Sequence, residues 1–175
     1  MSPTELRTIA AQVKLAVFDF DGVFTDNRVL VFQDGGEAVF CNRSDGLGLE
    51  MLRRSGVQVL VLSKEKNPVV SARCRKLALE CRQGIDLKAA VLREEAEKRG
   101  IDLAQTAYLG NDVNDLECLR LVGLPACVAD AYPEVKAVSR HCTRAPGGFG
   151  AVREFCDLLL GSQEQPAGIR VAKDE

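Results

Sequence analysis

Two carboxylates, Asp19 and Asp21, stand two residues apart at the end of the apolar run Leu15-Ala16-Val17-Phe18, and Gly22 follows them. An uninterrupted apolar run of this length reads as a strand buried on both faces of a parallel sheet. Residues leaving the carboxyl end of such a strand enter the region where open α/β sheets build their sites. Alternation along an extended chain points positions i and i+2 the same way, so both carboxylates can reach one substrate. One can then act as a nucleophile and the other as a general acid and later a general base. Gly22 lets the chain turn sharply away from the strand end.

Three further features could join them. The apolar segment Val57–Leu62 ends in Ser63, whose hydroxyl would stand at the end of a second core strand. Lys88 lies at the start of a helix expected over Leu87–Arg99. A lysine there runs against the usual helix-dipole preference, but positive charge beside a helix N-terminus suits an anion. The third feature is Ala107-Tyr108-Leu109-Gly110-Asn111-Asp112-Val113-Asn114-Asp115, a strand and a glycine followed by polar and acidic residues. Acidic groups gathered at strand ends repel one another unless a cation sits among them. Mg2+ is a hard ion that keeps several waters, so a few oxygen ligands suffice to hold it.

The elements that must position these groups alternate along the chain. Ser2, Pro3 and Glu5 form a capping-box pattern that opens a short helix over residues 3–12. A strand over Leu15–Phe20 follows. Val29–Phe32 and Glu37–Phe40 then flank Gln33-Asp34-Gly35-Gly36, a strong hairpin signal where a first crossover helix would normally begin. Beyond it come a helix from Gly46 to Ser55, a strand over Val57–Leu62, a helix over Pro68–Leu77, a short strand, and the Lys88 helix. Strands over Thr106–Leu109 and Ala126–Ala129 alternate with helices over Asp115–Val122, Ala131–Val138 and Gly150–Leu160. This order implies an α/β fold, a mostly parallel sheet covered on both faces. The expected organisation is one domain over residues 1–160 with a hairpin flap at 29–40. A polar tail over 161–175 is expected to be mobile.

The stretch Asp19-Phe20-Asp21-Gly22-Val23-Phe24-Thr25-Asp26 resembles the first motif of the haloacid dehalogenase-like hydrolases. Ser63, Lys88 and the Gly110–Asp115 segment match the family's second, third and fourth motifs in order. The resemblance implies a Rossmann-like three-layer fold and phosphoryl transfer through an aspartyl-phosphate, with Mg2+ as cofactor. It makes Asp19 the nucleophile and Asp21 the acid and base, with Ser63, Lys88 and Gly22 around the phosphoryl group. The metal would be held by Asp19, the main-chain carbonyl of Asp21, and Asn111 or Asp112. Most family members carry aspartate where this chain has Asn111, and an amide oxygen brings no charge. Asp115 would orient the loop or Lys88.

The resemblance spans roughly residues 13–160 and leaves no room for a cap domain. Capless members with a hairpin after the first motif are similar to phosphatases of 3-deoxy-D-manno-octulosonate 8-phosphate and of nonulosonate 9-phosphates. They are also similar to the carboxy-terminal domain of animal CMP-sialic acid synthetases. The segments Asn42–Gly48, Val128–Ala131 and Ala145–Glu154 match that branch, which adds Arg43 and Asp45 as candidate substrate contacts and implies a homotetramer with hairpins packed together. Two departures concern the substrate: Ser44 stands where an arginine or lysine usually precedes Asp-Gly, and Phe149 stands where an arginine is usual.

Bulk properties are consistent with this reading. The net charge of −2 with interspersed signs offers no basic stripe for nucleic acid. No apolar run approaches the roughly 20 residues needed to span a bilayer. Seven scattered cysteines without a CxxC pair, and one histidine, His141, argue against zinc and disulfides and fit a reducing cytoplasm. His141 reads as a strand or loop residue. The expected partner is a small phosphorylated sugar acid. The alternative is a non-enzymatic oligomerisation domain of the synthetase-tail kind, but such domains have lost acidic residues of the first motif, and this chain keeps Asp19, Asp21 and Lys88.

Overall fold

The computed structural model describes residues 2–163. Helix α1 (Pro3–Ala11) opens with the expected capping box: the Ser2 hydroxyl accepts from the Glu5 N–H, and the Glu5 carboxylate accepts from the Ser2 N–H. Strand β1 (Leu15–Phe18) follows and is buried at every position. The hairpin β2 (Leu30–Val31) and β3 (Glu37–Ala38) pairs antiparallel with Leu30 opposite Ala38. The rest of the chain is α2 (Arg43–Arg54), β4 (Gln58–Leu62), α3 (Val69–Lys76), β5 (Glu80–Arg82), α4 (Lys88–Lys98) and β6 (Thr106–Gly110). It closes with α5 (Leu116–Leu121), β7 (Leu124–Cys127), α6 (Pro133–Val138), β8 (His141–Cys142) and α7 (Ala151–Ser162).

Six strands form one parallel sheet in the order β5-β4-β1-β6-β7-β8. This is the three-layer α/β sheet of the expected class, with the hairpin inserted after the first strand. From β1 the chain winds to β4 and β5 on one side, then returns through β6 to β7 and β8 on the other. The crevice where the winding reverses opens at the carboxyl ends of β1, β4 and β6. The core is aliphatic and aromatic. Phe18 packs edge-on against Phe24 and Phe155, with ring centroids 6.0 Å apart in each pair. His141 lies on the outermost strand, stacked at 6.3 Å on Phe155.

Several boundaries differ from expectation for local reasons. Strand β1 stops at Phe18, because the chain curls as soon as Asp19 has made its last ladder bond to the Leu109 carbonyl (3.0 Å). Helix α2 begins three residues early, where the Asn42 side chain accepts from the Ser44 N–H at 2.9 Å as an N-cap. Strand β7 starts before Pro125. That residue lacks a donor, yet its carbonyl still accepts from the Arg140 N–H at 2.8 Å. Helix α7 runs two residues past Leu160; of the expected tail, residues 164–175 lie outside the described residues.

The hairpin is short and exposes its apolar side chains. Val29, Leu30, Val31, Phe32 and Phe40 are each at least half exposed, and so is Phe149 nearby. At its base Thr25 bridges to Cys41. Its Glu37 carboxylate accepts from Asn67 Nδ2 at 2.9 Å, which ties the flap to the loop after β4.

Candidate active site

The turn after β1 is built around Gly22. Its φ is +76°, a backbone state that side-chain-bearing residues rarely adopt, and a Cβ there would lie 2.0 Å from Asn111 Nδ2. Only glycine therefore lets the first loop and the loop after β6 touch. The buried Thr25 hydroxyl closes the turn, accepting from the N–H groups of Gly22 (3.1 Å) and Asn27 (3.2 Å). Asp19 and Asp21 do not continue an alternating strand as expected. The curl between them brings both carboxylates to one cavity instead.

That cavity, about 210 Å3, is lined by Asp19, Asp21, Asn27, Ser63, Lys64, Glu65, Asn111, Asp112 and Asn114. Ser63 directly follows β4 and is buried; its Oγ accepts from the Glu65 N–H at 3.0 Å, so its proton remains available to the cavity. Lys88, the first residue of α4, is also buried. Its Nζ lies 2.7 Å from Asp19 Oδ1 and 2.9 Å from Asp115 Oδ1. Asp115 both holds Lys88 and orients the loop, since its Oδ2 accepts from the N–H groups of Asn111 (3.0 Å) and Asp112 (3.3 Å). Gly110 allows this approach, because a Cβ there would stand 2.5 Å from Asp115 Oδ2.

The electrostatics follow from two carboxylates sharing one buried ammonium. Burial, and then the Asp115 charge, push the Asp19 carboxyl up to about 8, against the pull of Lys88. Burial disfavours the Lys88 ammonium, but Asp19 and Asp115 outweigh it and hold the lysine above its ordinary range. Asp21 is raised by burial and by Glu65, with Glu37 of the hairpin adding to the shift. A raised carboxyl keeps its proton longer, as a general acid requires.

These residues fit a hard divalent cation. Asn111 Oδ1 is buried without a hydrogen-bond partner among the described residues, and a buried, unpaired amide oxygen at the rim of an anionic cavity suits such an ion. The Asp112 carboxylate is instead engaged at home, accepting from the Val113 N–H at 2.6 Å. No three His, Cys, Asp or Glu side chains converge as a ligand set among the described residues. The candidate donors lining the cavity are the Asp19 carboxylate and the Asn111 amide oxygen.

Two expected substrate residues lie elsewhere in this chain. Asp45 is fully buried between α2 and α7, where its Oδ1 accepts from the Arg153 N–H at 3.0 Å in the first turn of α7. It caps that helix, because its place in the first turn of α2 faces inward against α7. Arg43 lines a separate groove of about 510 Å3 beside the hairpin base, with Asp26, Arg28, Phe40 and Phe149. Asn27, Lys64, Glu65 and Asn114 were not singled out from sequence. Their only signal was adjacency to the motifs, together with the tolerance of asparagine for the positive φ (63°) that Asn27 adopts.

Comparison with known proteins finds relatives over most of the chain. Residues 81–152 match the family model described as haloacid dehalogenase-like hydrolase. The 3-deoxy-D-manno-octulosonate 8-phosphate phosphatase KdsC of Salmonella typhi is 34% identical over 161 residues, covering 91% of this chain and 86% of that protein. A crystal structure of a HAD family hydrolase from Streptomyces avermitilis shares 48% identity and superposes with a TM-score of 0.85 over 87% of each chain. The 3-deoxy-D-manno-octulosonate 8-phosphate phosphatase of Moraxella catarrhalis was solved with magnesium, phosphate and KDO. It is 33% identical with a TM-score of 0.90, over 93% of this chain and 94% of that one.

Replacing Lys88 tests the shared-ammonium arrangement. Lys88→Met leaves two buried carboxylates facing each other and should cost about 3 kcal/mol of stability at neutral pH. The folded-state pKa of Asp19 lies above its ordinary 3.8, so protonation favours the folded form. That contribution is complete below 3.8 and is lost as pH rises through about 8. Without the ammonium that pulls it down, Asp19 in Lys88→Met keeps its proton to higher pH than in the parent, so the deficit in thermal melts should widen as pH rises from about 7 to about 9. A deficit independent of pH would contradict the charge assignment.

Proposed function

Since the chain belongs to the haloacid dehalogenase-like hydrolases and is a phosphomonoesterase, we propose that it hydrolyses a phosphorylated sugar acid. The substrate would be of the 3-deoxy-octulosonate 8-phosphate or nonulosonate 9-phosphate type, cleaved through an aspartyl-phosphate with Mg2+ as cofactor. The observation that carries this reading is the Asp19–Lys88–Asp115 cluster, which meets the cavity at Asp19, with Asp21 and Ser63 also lining that cavity. The names of the relatives from Salmonella typhi and Moraxella catarrhalis support the substrate class.

In this mechanism Asp19 attacks phosphorus while Lys88 and the Ser63 hydroxyl hold phosphoryl oxygens. Asp21, whose carboxyl burial raises above its ordinary range, donates to the leaving alkoxide. It then takes a proton from the water that opens the aspartyl-phosphate. Asp19, the Asp21 carbonyl and Asn111 would hold Mg2+. When bound, the ion supplies positive charge that offsets the crowded carboxylates and the phosphate. Catalysis then consists mainly of positioning and charge neutralisation.

The substrate extends beyond this cavity. At about 210 Å3 it is smaller than typical ligand pockets of ~300–1,000 Å3 and suits a phosphoryl group with a few attached atoms. The exposed apolar hairpin beside it supplies a surface on which chains can pack. A homotetramer, with hairpins packed together and each site roofed by a neighbour, follows from the branch resemblance. A cytoplasmic location accords with the free cysteines of the described residues, and none of their helices is long and apolar enough to cross a membrane.

The reading is tested by turnover. The parent should hydrolyse six- to nine-carbon sugar-acid phosphates in the presence of Mg2+. Asp19→Asn should abolish turnover with the melt unchanged, and Asp21→Asn should slow it by roughly 10²–10⁴-fold. Substantial activity in Asp19→Asn would reject the aspartyl-phosphate.

For the metal, Asn111→Asp restores a charge and should lower the Mg2+ concentration that gives half-maximal thermal stabilisation. Asp112→Ala should leave that concentration nearly unchanged, and the reverse pattern would move the ligand to Asp112. For assembly, light scattering at micromolar concentration should give four times the chain mass. A fully active monomer would sink the roofed-site idea.

A further inference from the structure

Buried in the middle of β6 is a polar group that the mechanism does not use. Tyr108 is among the largest fully buried side chains, and its hydroxyl lies 2.7 Å from Asp115 Oδ1. That oxygen also accepts from Lys88 Nζ at 2.9 Å. The other Asp115 oxygen takes the two loop N–H groups, so four donors converge on this one buried carboxylate. A buried tyrosine hydroxyl finds a partner somewhere. Here the partner is the residue that fixes the lysine against the nucleophile.

We propose that Tyr108 is a positioning residue for phosphoryl transfer, acting through Asp115 to set how Lys88 is shared between Asp115 and Asp19. The physical reason is competition for one ammonium. Lys88 has three N–H donors: one goes to Asp115, one to Asp19, and one is left for the phosphoryl oxygen. A donor from Tyr108 partly satisfies Asp115 Oδ1 and weakens its pull on Lys88. Without the hydroxyl, Asp115 holds an unmet acceptor in a dry site and draws the ammonium toward itself, away from Asp19 and the phosphoryl group. The hydroxyl holds Asp115 through Oδ1, while the loop N–H groups hold it through Oδ2. Tyr108 itself is buried and does not line the cavity.

This inference rests on the phosphatase reading for its kinetic arm but not for its spectroscopic one. Tyr108→Phe keeps the ring and removes only the hydroxyl. With saturating Mg2+ and an aryl phosphate, kcat should fall on the order of tenfold while KM changes by less than about threefold. Leu159→Ala, a truncation in the core of α7, provides a comparably destabilised reference that should keep the parent kcat below its melting range. The decisive comparison is a double-mutant cycle. In an Asp115→Asn background, removing the Tyr108 hydroxyl should change kcat by less than about twofold. The side-chain 15N resonance of Lys88 needs no turnover, and it should move in Tyr108→Phe but not in Leu159→Ala.

An unchanged kcat together with an unmoved Lys88 resonance overturns the proposal. So does an equal fold-loss in both backgrounds, which would mean that Tyr108 acts without Asp115. A parent that turns over no phosphate monoester would count against the phosphatase reading, and the Lys88 resonance would still decide this one.

Discussion

The Lys88 ammonium between Asp19 and Asp115 is the contact on which the rest of the site depends. Neither carboxylate could remain ionised where it stands without compensation, because taking a charge out of water costs several kcal/mol even after relaxation. Lys88 sits at the first position of α4, Asp19 follows β1, and Asp115 follows β6. One ion triad therefore joins three elements that are far apart in sequence. The triad also explains why the loop after β6 is ordered, since Asp115 spends its second oxygen on the backbone of Asn111 and Asp112. Asp19 and Asp115 share this one ammonium, and the Asn111 oxygen, without a partner among the described residues, lines the same cavity as Asp19.

The sheet makes that triad possible. β1 is central, flanked by β4 and β6, and the chain reverses its direction of winding there. Loops from adjacent parallel strands then open at one end of the sheet, so Asp19, Ser63 and the Asn111 loop can meet without long connections. Glycines at 22 and 110 let the loops close to contact distance, one against the Asn111 amide and one against Asp115. The hairpin does not belong to this framework. It leaves the first loop at Thr25 and Cys41, leans on Asn67, and presents apolar side chains outward. An isolated two-stranded hairpin is marginal in water, so its side chains gain most by packing on another surface.

Much of this was legible in the residues alone. Apolar runs marked β1, β4 and β6, and the chemistry-bearing side chains stand at their ends in order, so Asp19, Asp21, Ser63 and the Asn111–Asp112 pair follow from where each run stops. Lys88 was legible for a different reason: a lysine at a helix start is unfavourable unless something anionic faces it. The α2 start was missed because Asn42 capped the helix ahead of a Ser-Asp-Gly segment that reads as a turn. Pro125 hid the start of β7.

The sequence by itself determined the order of elements, the candidate groups at the strand ends and the family, because strand periodicity and motif spacing are local properties of the chain. Only the tertiary structure decided which polar side chains share a space. It moved Asp45 from the substrate to the N-terminus of α7 and set Arg43 in a groove beside the hairpin. It brought Asp19 and Asp21 together by a curl rather than by strand alternation. It also joined the Tyr108 hydroxyl to Asp115, a link that spacing could not reveal. The physical reason is that a buried hydroxyl or carboxylate is placed by whichever partner the packing of distant elements brings within about 3 Å, and that distance is not written in the neighbouring residues.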